Sequence, residues 1–175
     1  MAAPSSKTLR NIAGRWTLNK DLSDPFGPVL KLQGVNGLIR SVASYTSVHL
    51  KIEQPSQDEI HLQQTATGAS IPAVTEDWIL DWQWREGKDP LFGDMTGRAK
   101  WIKKEETPEG NWEDCDEGLV MQAEGKKPDD EWGGTHYWGF EQVNGERRYT
   151  RRIYMANNKT NEKINVRMVY DFDGE

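Results

Sequence analysis

After residue 47 the chain alternates between apolar and polar residues with a period of two. The stretch from Val48 to Glu53 is apolar at every second position, and the closing stretch from Ile164 to Phe172 repeats the pattern. This alternation is typical of antiparallel strands that bury one face and expose the other. With an earlier strand that begins near Gly14, the pattern predicts about nine or ten strands.

Helical signals are confined to the residues before 47. Asp24 is placed to cap a short helix that admits Pro28 in its first turn and stops at Gly34. Asn36 is placed to cap a second helix from Gly37 to Tyr45, in which apolar residues recur at helical spacing. The two segments predict a compact helix-turn-helix between residues 24 and 46.

The strands follow one another through short turns, without the crossover helices that a parallel sheet requires. The strongest turn signal is the pair Asn144-Gly145. An up-and-down barrel closes such a sheet, and with roughly eight to ten strands it leaves room for one small ligand. The sequence therefore predicts a mainly-β fold, with a single barrel domain over residues 12–175, a flexible tail over 1–11 and a long mobile loop over 103–117.

Composition excludes several classes of protein. The 175 residues suffice for one domain, and the net charge of −6 lacks the positive patch of a nucleic-acid binder. No segment approaches the ~18 apolar residues of a membrane span, and the stretch from Met1 to Arg10 lacks the apolar run of a secretory signal. A single cysteine, Cys115, forms no internal disulfide and agrees with a reducing compartment. We expect a cytoplasmic protein without stable membrane insertion; its oligomeric state is left open.

Cofactor motifs are absent from the sequence. The three histidines are widely separated and form no metal-binding motif, and Asp114-Cys115-Asp116 lacks the glycine and closing glutamate of a calcium loop. Neither a glycine-rich phosphate loop nor a nucleophile elbow occurs. We expect no metal, nucleotide or flavin.

Eight tryptophans stand out in a polar chain. Trp78, Trp82 and Trp84 share one phase of a predicted strand, and rigid rings of this kind either line a ligand site or form ordinary core. Both interpretations stand. The residues on apolar strand phases that we expect to line an internal pocket are Trp78, Trp82, Trp101, Trp138 and Tyr170.

The polar candidates lie in phase with these aromatic residues. His136 is the first candidate for acid or base chemistry because imidazole titrates near neutrality, and Glu76 is the second because burial beside aromatic rings raises the pKa of a carboxyl group. Tyr149 and Arg151, together with Tyr170, are placed to bind a carbonyl oxygen or a developing enolate. For each of these residues a structural role, as a hydrogen-bonded or ion-paired barrel residue, remains the alternative.

The first strand carries Gly14-Arg15-Trp16, which resembles the Gly-x-Trp signature of the calycins, the superfamily of the lipocalins and the intracellular fatty-acid-binding proteins. The order of elements, one strand followed by two helices and then by strands alone, is similar to that of the fatty-acid-binding proteins, in which a helical lid covers the barrel. The resemblance implies that Trp16 closes the barrel floor, with an arginine such as Arg151 or Arg167 stacked on it. The fatty-acid binders hold a carboxylate with Arg-x-Tyr on the last strand, but here Arg167 and Tyr170 are one residue further apart, which sends them to opposite faces.

Other segments resemble a group of small fungal lipocalin-like proteins; they are Trp16-Thr17-Leu18-Asn19-Lys20, Leu80-Asp81-Trp82, Trp138-Gly139-Phe140 and Arg148-Tyr149-Thr150-Arg151-Arg152. Some fungal barrels of this form act in natural-product pathways as cofactor-free cyclases or isomerases. The resemblance therefore implies a barrel that binds a hydrophobic small molecule and converts it by pericyclase-like chemistry. The alternative is a non-catalytic intracellular carrier of fatty acids or other lipophilic ligands.

Overall fold

The computed structural model describes residues 1–67, 72–113 and 116–175. The strands, β1 to β10 in chain order, are Gly14–Leu18, Ser47–Ser56, Glu59–Thr67, Val74–Ile79, Arg85–Asp89, Gly93–Lys103, Leu119–Lys126, Trp132–Val143, Glu146–Asn157 and Glu162–Gly174. Two helices, α1 at Gly27–Leu32 and α2 at Gly37–Tyr45, lie between β1 and β2.

All ten strands belong to one antiparallel sheet in the order β4-β3-β2-β1-β10-β9-β8-β7-β6-β5. The first strand pairs with the last, so consecutive hairpins continue around a nearly closed barrel. The strands β4 and β5 are the two edges of this sheet, and we call the line between them the β4–β5 seam. The predicted mainly-β barrel with two short helices is confirmed.

Period-two alternation agrees with the burial seen along the long hairpin strands. Along β9 the buried residues Tyr149, Arg151 and Ile153 point inward, and the turn before this strand has positive φ at Asn144 and Gly145, as the hairpin signal requires. At one end of the barrel Trp16 is fully buried and its Nε1 donates to the carbonyl oxygen of Ile12 at 3.1 Å.

The partners of Trp16 differ from the expected arginine. Its ring centroid lies 4.8 Å from that of Phe172 and 5.3 Å from that of Tyr149. Arg151 stacks on another tryptophan, Trp138, while Arg167 lies on the opposite face of its strand, where its Nη2 contacts the carbonyl of Leu22. Rings from β9 and β10 therefore fill the space that we assigned to a guanidinium.

The two helices are closely predicted, although their capping differs. The side chain of Asn36 accepts a hydrogen bond from the Ile39 amide at 3.0 Å, which confirms it as the cap of α2. Asp24 caps no helix, because its carboxylate accepts from the backbone amide of Arg167 on β10. Helix α1 is fixed at the mouth of the barrel by the amide of Asn157, which donates to the carbonyl of Leu32 at 2.9 Å.

The first eleven residues differ from the flexible tail that we expected. Leu9 is fully buried, and the buried Lys7 donates to the carbonyl of Ala13 and to the carboxylate of Glu175. The amide of Ala3 adds a backbone hydrogen bond to Arg147. Because Leu9 lies in the main core and Lys7 joins both ends of the chain, this segment packs against the barrel.

The predicted mobile loop also differs where it is described. Trp112 is buried on the outer face of the barrel and forms an isolated bridge with Glu141, whose carboxylate accepts from Thr150 at 2.9 Å and from Arg152 at 3.0 Å. Gly139 leaves the space that the Trp112 ring occupies. Two residues of this loop, Asp114 and Cys115, lie outside the described residues.

Replacement of Gly139 by alanine tests how the loop is anchored. A Cβ at this position would lie 2.5 Å from the Trp112 ring, so we expect Gly139→Ala to displace Trp112 and to lower the free energy of unfolding by about 1–3 kcal/mol. Denaturation in urea and limited proteolysis of residues 104–113 measure the effect. Gly27→Ala is the matched control because a Cβ there meets no atom within 4 Å; equal stability of the two variants would contradict the anchoring.

Candidate functional site

A cavity of about 250 Å³ lies inside the barrel beside the β4–β5 seam. Its walls come from α1 and from both sides of the seam, where the sheet has no ladder of hydrogen bonds to close it. The residues of its inner surface include Gln33, Glu76, Trp78, Phe92, Met95, Ala123, Trp132, His136 and Met155. A mostly apolar cavity with a few polar groups is the usual form of a small-molecule site.

His136 is the titratable histidine of this cavity. It comes from β8, where it pairs with Ile153 of β9, and no hydrogen bond to its ring nitrogens is made within the described residues. Burial, and secondarily the positive charge of Arg151, lower the pKa of His136 to about 4. The imidazole is therefore uncharged at neutral pH, when it can accept or donate a hydrogen bond but cannot act as an imidazolium acid.

Arg151 is a buried charge among aromatic rings. Its guanidinium lies 3.7 Å from the centroid of Trp138 and its Nε donates to the hydroxyl of Tyr149 at 2.7 Å. Burial is the chief cause that raises the pKa of Tyr149 above its ordinary value, and the same holds for Tyr170, so both phenols stay protonated beside the cation. Two buried donors, Nη2 of Arg151 and Nε1 of Trp138, have no hydrogen-bond partner among the residues that the structure describes.

Glu76 joins the cavity wall to this buried charge. Its Oε2 accepts a hydrogen bond from Nε1 of Trp78 at 3.0 Å and lies 4.0 Å from Nη1 of Arg151. The side chain is 29% exposed, so water or a ligand in the cavity can reach it. The structure thus combines both interpretations of Glu76, since it faces the cavity and also lies near an arginine.

The structure brings most of the predicted site residues together. Trp78 lines the cavity and meets Trp138 edge to face, with ring centroids 6.3 Å apart. Tyr149 and Tyr170 stack behind them at 5.2 Å. These residues lie in regular strands, so alternation places them in the barrel interior, but of the residues predicted to line the pocket only Trp78 reaches the cavity surface, while Trp138 and Tyr170 lie behind it in the core.

Trp82 differs from the prediction and lies on the outer surface. Strand β4 ends at Ile79, and Trp82 has a φ of 62°, which breaks the alternation that places it in phase with Trp78. Its ring packs 3.8 Å from the guanidinium of Arg98, an outward-facing residue of β6 that also stacks on Trp84. The predicted three-tryptophan wall is therefore reduced to Trp78.

Trp101 also lies away from the cavity. Its Nε1 donates to Asp58 in the turn between β2 and β3 at 2.8 Å, and Arg10 approaches its other side. The ring is half-buried against the core at the end of β6, far along the strand from the cavity-lining Gly97. The side chain lies on the inward face of β6, as its place in the alternation indicates. Alternation does not show how far along the barrel axis a residue lies.

Sequence reasoning missed several residues of the cavity wall, among them Phe92, Trp132 and Met155. Phe92 lies in a turn, Trp132 is the first residue of β8, and the two rings pack edge to face at 4.9 Å. Met155 lies on the buried face of β9. Turn positions carry no periodic signal, so only the tertiary structure shows that these residues meet.

Within the described ranges, no cluster of three or more His, Cys, Asp or Glu side chains is arranged to hold a metal ion. The same ranges contain no helix with the length and apolar character needed to cross a membrane.

The barrel has the fold of the calycins, in the form that the intracellular fatty-acid-binding proteins adopt. Apo lipid binding protein 8 of Caenorhabditis elegans superposes with a TM-score of 0.60 at 18% identity, over 92% of this chain and 94% of that chain. Fatty-acid-binding protein 1 of Echinococcus granulosus gives 0.58 at 12% identity, over 93% and 98%. The predicted resemblance in fold is confirmed.

Two fungal proteins are similar to this chain in sequence. The probable pericyclase scpY of Mollisia scopiformis is 27% identical over 182 residues, which cover 99% of this chain and 95% of the relative. The pericyclase pydY of Acremonium sp is 27% identical over 186 residues, which cover 99% and 98%. Known protein-family profiles match no part of the chain.

The low pKa of His136 has a direct test. In NMR titrations of the ring protons we expect a midpoint near pH 4 for His136, whereas the pKa of His61 is raised by its hydrogen bond to Asp77. The unfolded histidine binds a proton below about pH 6.5, while the folded one stays neutral down to about pH 4, so stability contributed by this group falls as pH decreases through that window. A midpoint at or above 6.5 for His136 would contradict the buried, cation-facing environment.

Proposed function

We propose that this protein binds a hydrophobic small molecule in the cavity and converts it as a cofactor-independent cyclase or isomerase of the pericyclase type, in fungal natural-product biosynthesis. The observation that carries the proposal is the combination of a mostly apolar cavity with an unpaired neutral imidazole, His136, in front of a buried guanidinium, Arg151. A simple core would pair or exclude polar groups, whereas within the described residues the His136 ring makes no hydrogen bond and Nη2 of Arg151 has no partner.

A pericyclic reaction places modest demands on a protein. The substrate must be folded so that its reacting ends meet, and the positioning of reacting groups alone can supply several kcal/mol. Hydrogen-bond donors aimed at a carbonyl oxygen stabilise negative charge that develops in the transition state, and their effect is large in a dry site. Arg151 supplies positive charge here, with Tyr149 holding its guanidinium in place.

His136 and Glu76 have distinct roles in this proposal. The neutral imidazole of His136 binds a polar group of the substrate or accepts a proton from it, in place of the general acid that its ordinary pKa suggests. Glu76, held by Trp78, orients that tryptophan against the substrate and balances the charge of Arg151.

The relatives support this reading over nearly the whole chain, because both are named pericyclases. A reducing, cytoplasmic location agrees with the lone cysteine and with the small-molecule role. An intracellular carrier of lipophilic ligands is the second candidate, and the fold neighbours named as fatty-acid-binding proteins favour it. The carrier reading is weakened by the last strand, since Arg167 faces outward and Tyr170 inward, which leaves no Arg-x-Tyr clamp on β10.

The candidate catalytic residues are tested by single substitutions. The assay uses the substrates of the two similar pericyclases and protein that has been treated with a chelator. We expect a product that has the same mass as the substrate and a different chromatographic retention. His136→Ala should lower turnover by up to ~10²–10⁴-fold while the Trp fluorescence change on ligand binding persists. Glu76→Gln should have a smaller effect. Full activity of both variants would refute the roles of these residues, and loss of activity after chelator treatment would refute a cofactor-free reaction.

Arg151 has a matched control on the same strand. Arg147 also stacks on a ring, 3.8 Å from the centroid of Phe140, but its Nε pairs with Glu113 at the other end of the barrel. We expect Arg151→Met to lower kcat by about 10²–10³-fold, as loss of an oxyanion donor does, and Arg147→Met to leave kcat within about twofold of the parent. Equal losses in the two variants, tracked with circular dichroism, would mean that Arg151 acts only in folding.

A further inference from the structure

A row of glycines crosses three neighbouring strands beside the cavity. Gly97 of β6 pairs with Gly125 of β7, and Gly125 pairs with Gly134 of β8. Directly opposed residues of an antiparallel pair point to the same face. That face is the interior, because a Cβ at Gly97 would lie 3.1 Å from the ring of Trp78.

The two outer glycines of the row are covered by side chains. The ring of Trp78 lies on Gly97, and the thioether of Met155 occupies the place where Gly134 would carry a Cβ. The middle position differs, since a Cβ at Gly125 would have the carbonyl oxygen of Thr96, 3.9 Å away, as its nearest neighbour. The backbone of Gly125 is therefore bare, that is, open to the cavity, between the side chains of Trp78 and Met155. This open stretch is about one strand spacing wide, ~4.8 Å.

The size of the cavity limits what can occupy it. Its volume of about 250 Å³ is below the ~300–1,000 Å³ that is usual for small-molecule sites. A cavity of about 150 Å³ holds one benzene molecule, so this one has room for about two fused six-membered rings. An extended acyl chain would have to leave the cavity through the β4–β5 seam.

We propose that the bare backbone of Gly125 determines the ligand specificity of the cavity, which takes a compact hydrocarbon unit of about two fused rings. The unit lies on Gly125 between the ring of Trp78 and the thioether of Met155, with His136 at its polar side. This inference rests on the proposed function and deepens it, because a cyclising site that is complementary to its transition state fits the folded, ring-forming part of the substrate better than an extended chain.

The probes are naphthalene, as the compact unit, and palmitate, as the extended chain. Each is titrated into the intact protein, with Trp fluorescence and the shift in Tm as readouts. We expect naphthalene to bind with a measurable rise in Tm and palmitate to bind at least about tenfold more weakly. Gly125→Leu places four carbon atoms on the bare backbone and should weaken naphthalene binding by at least about tenfold, and Gly125→Ala by less than about threefold.

Lys126→Leu is the matched control, since the next residue of β7 points to the outer face and should leave naphthalene binding unchanged. Circular dichroism and Tm of the unliganded variants exclude loss of the fold as the cause. If Gly125→Leu fails to fold, Gly125→Val replaces it and should weaken naphthalene binding by at least about threefold. Tighter binding of palmitate that Gly125→Leu abolishes would overturn the compact-unit proposal while keeping ligand binding in the barrel. Binding of neither probe would overturn the ligand-binding function itself.

Discussion

The buried guanidinium of Arg151 is the constraint on which the interior of this barrel depends. A charge removed from water is costly unless other groups replace its solvation, and the carboxylate of Glu76 comes no closer than 4.0 Å. The hydroxyl of Tyr149 and the face of Trp138 provide that replacement, and their own burial follows from it. Burial is the main cause of the neutral state of His136, and the positive charge of Arg151 adds to it. A hydrocarbon in place of Arg151 could stabilise the fold, so the charge is better explained by function than by stability.

The sequence predicts the barrel and much of its interior because regular strands convert alternation directly into inside and outside. Trp138, Tyr149 and Arg151 are examples, since each lies in the middle of a long hairpin strand. The prediction fails where regularity ends. Trp82 leaves the wall because one residue with positive φ resets the phase, and Phe92 joins the cavity from a turn.

The candidate site also depends on features that leave no pattern in the sequence. Alternation gives the face of a residue but neither its height in the barrel nor its neighbours two strands away, which is why Trp101 is misplaced. The row of Gly97, Gly125 and Gly134 becomes visible only once the register of three strands is known. Likewise, the pKa of His136 follows from burial and from Arg151 on the neighbouring strand, and neither is local in sequence.

A barrel that stays open along one line exposes two strand edges, and exposed edges are templates for the addition of strands from other molecules. In this protein β5 is short and its five residues are Arg85, Glu86, Gly87, Lys88 and Asp89. Such a strand gives no hydrophobic signal, which is why the alternation pattern does not reveal it. Charged side chains and short length make it a poor template for edge-to-edge association. The polar composition of these five residues thus explains why β5 leaves no alternation pattern in the sequence. It also lets the barrel keep an unpaired edge beside its cavity without promoting aggregation.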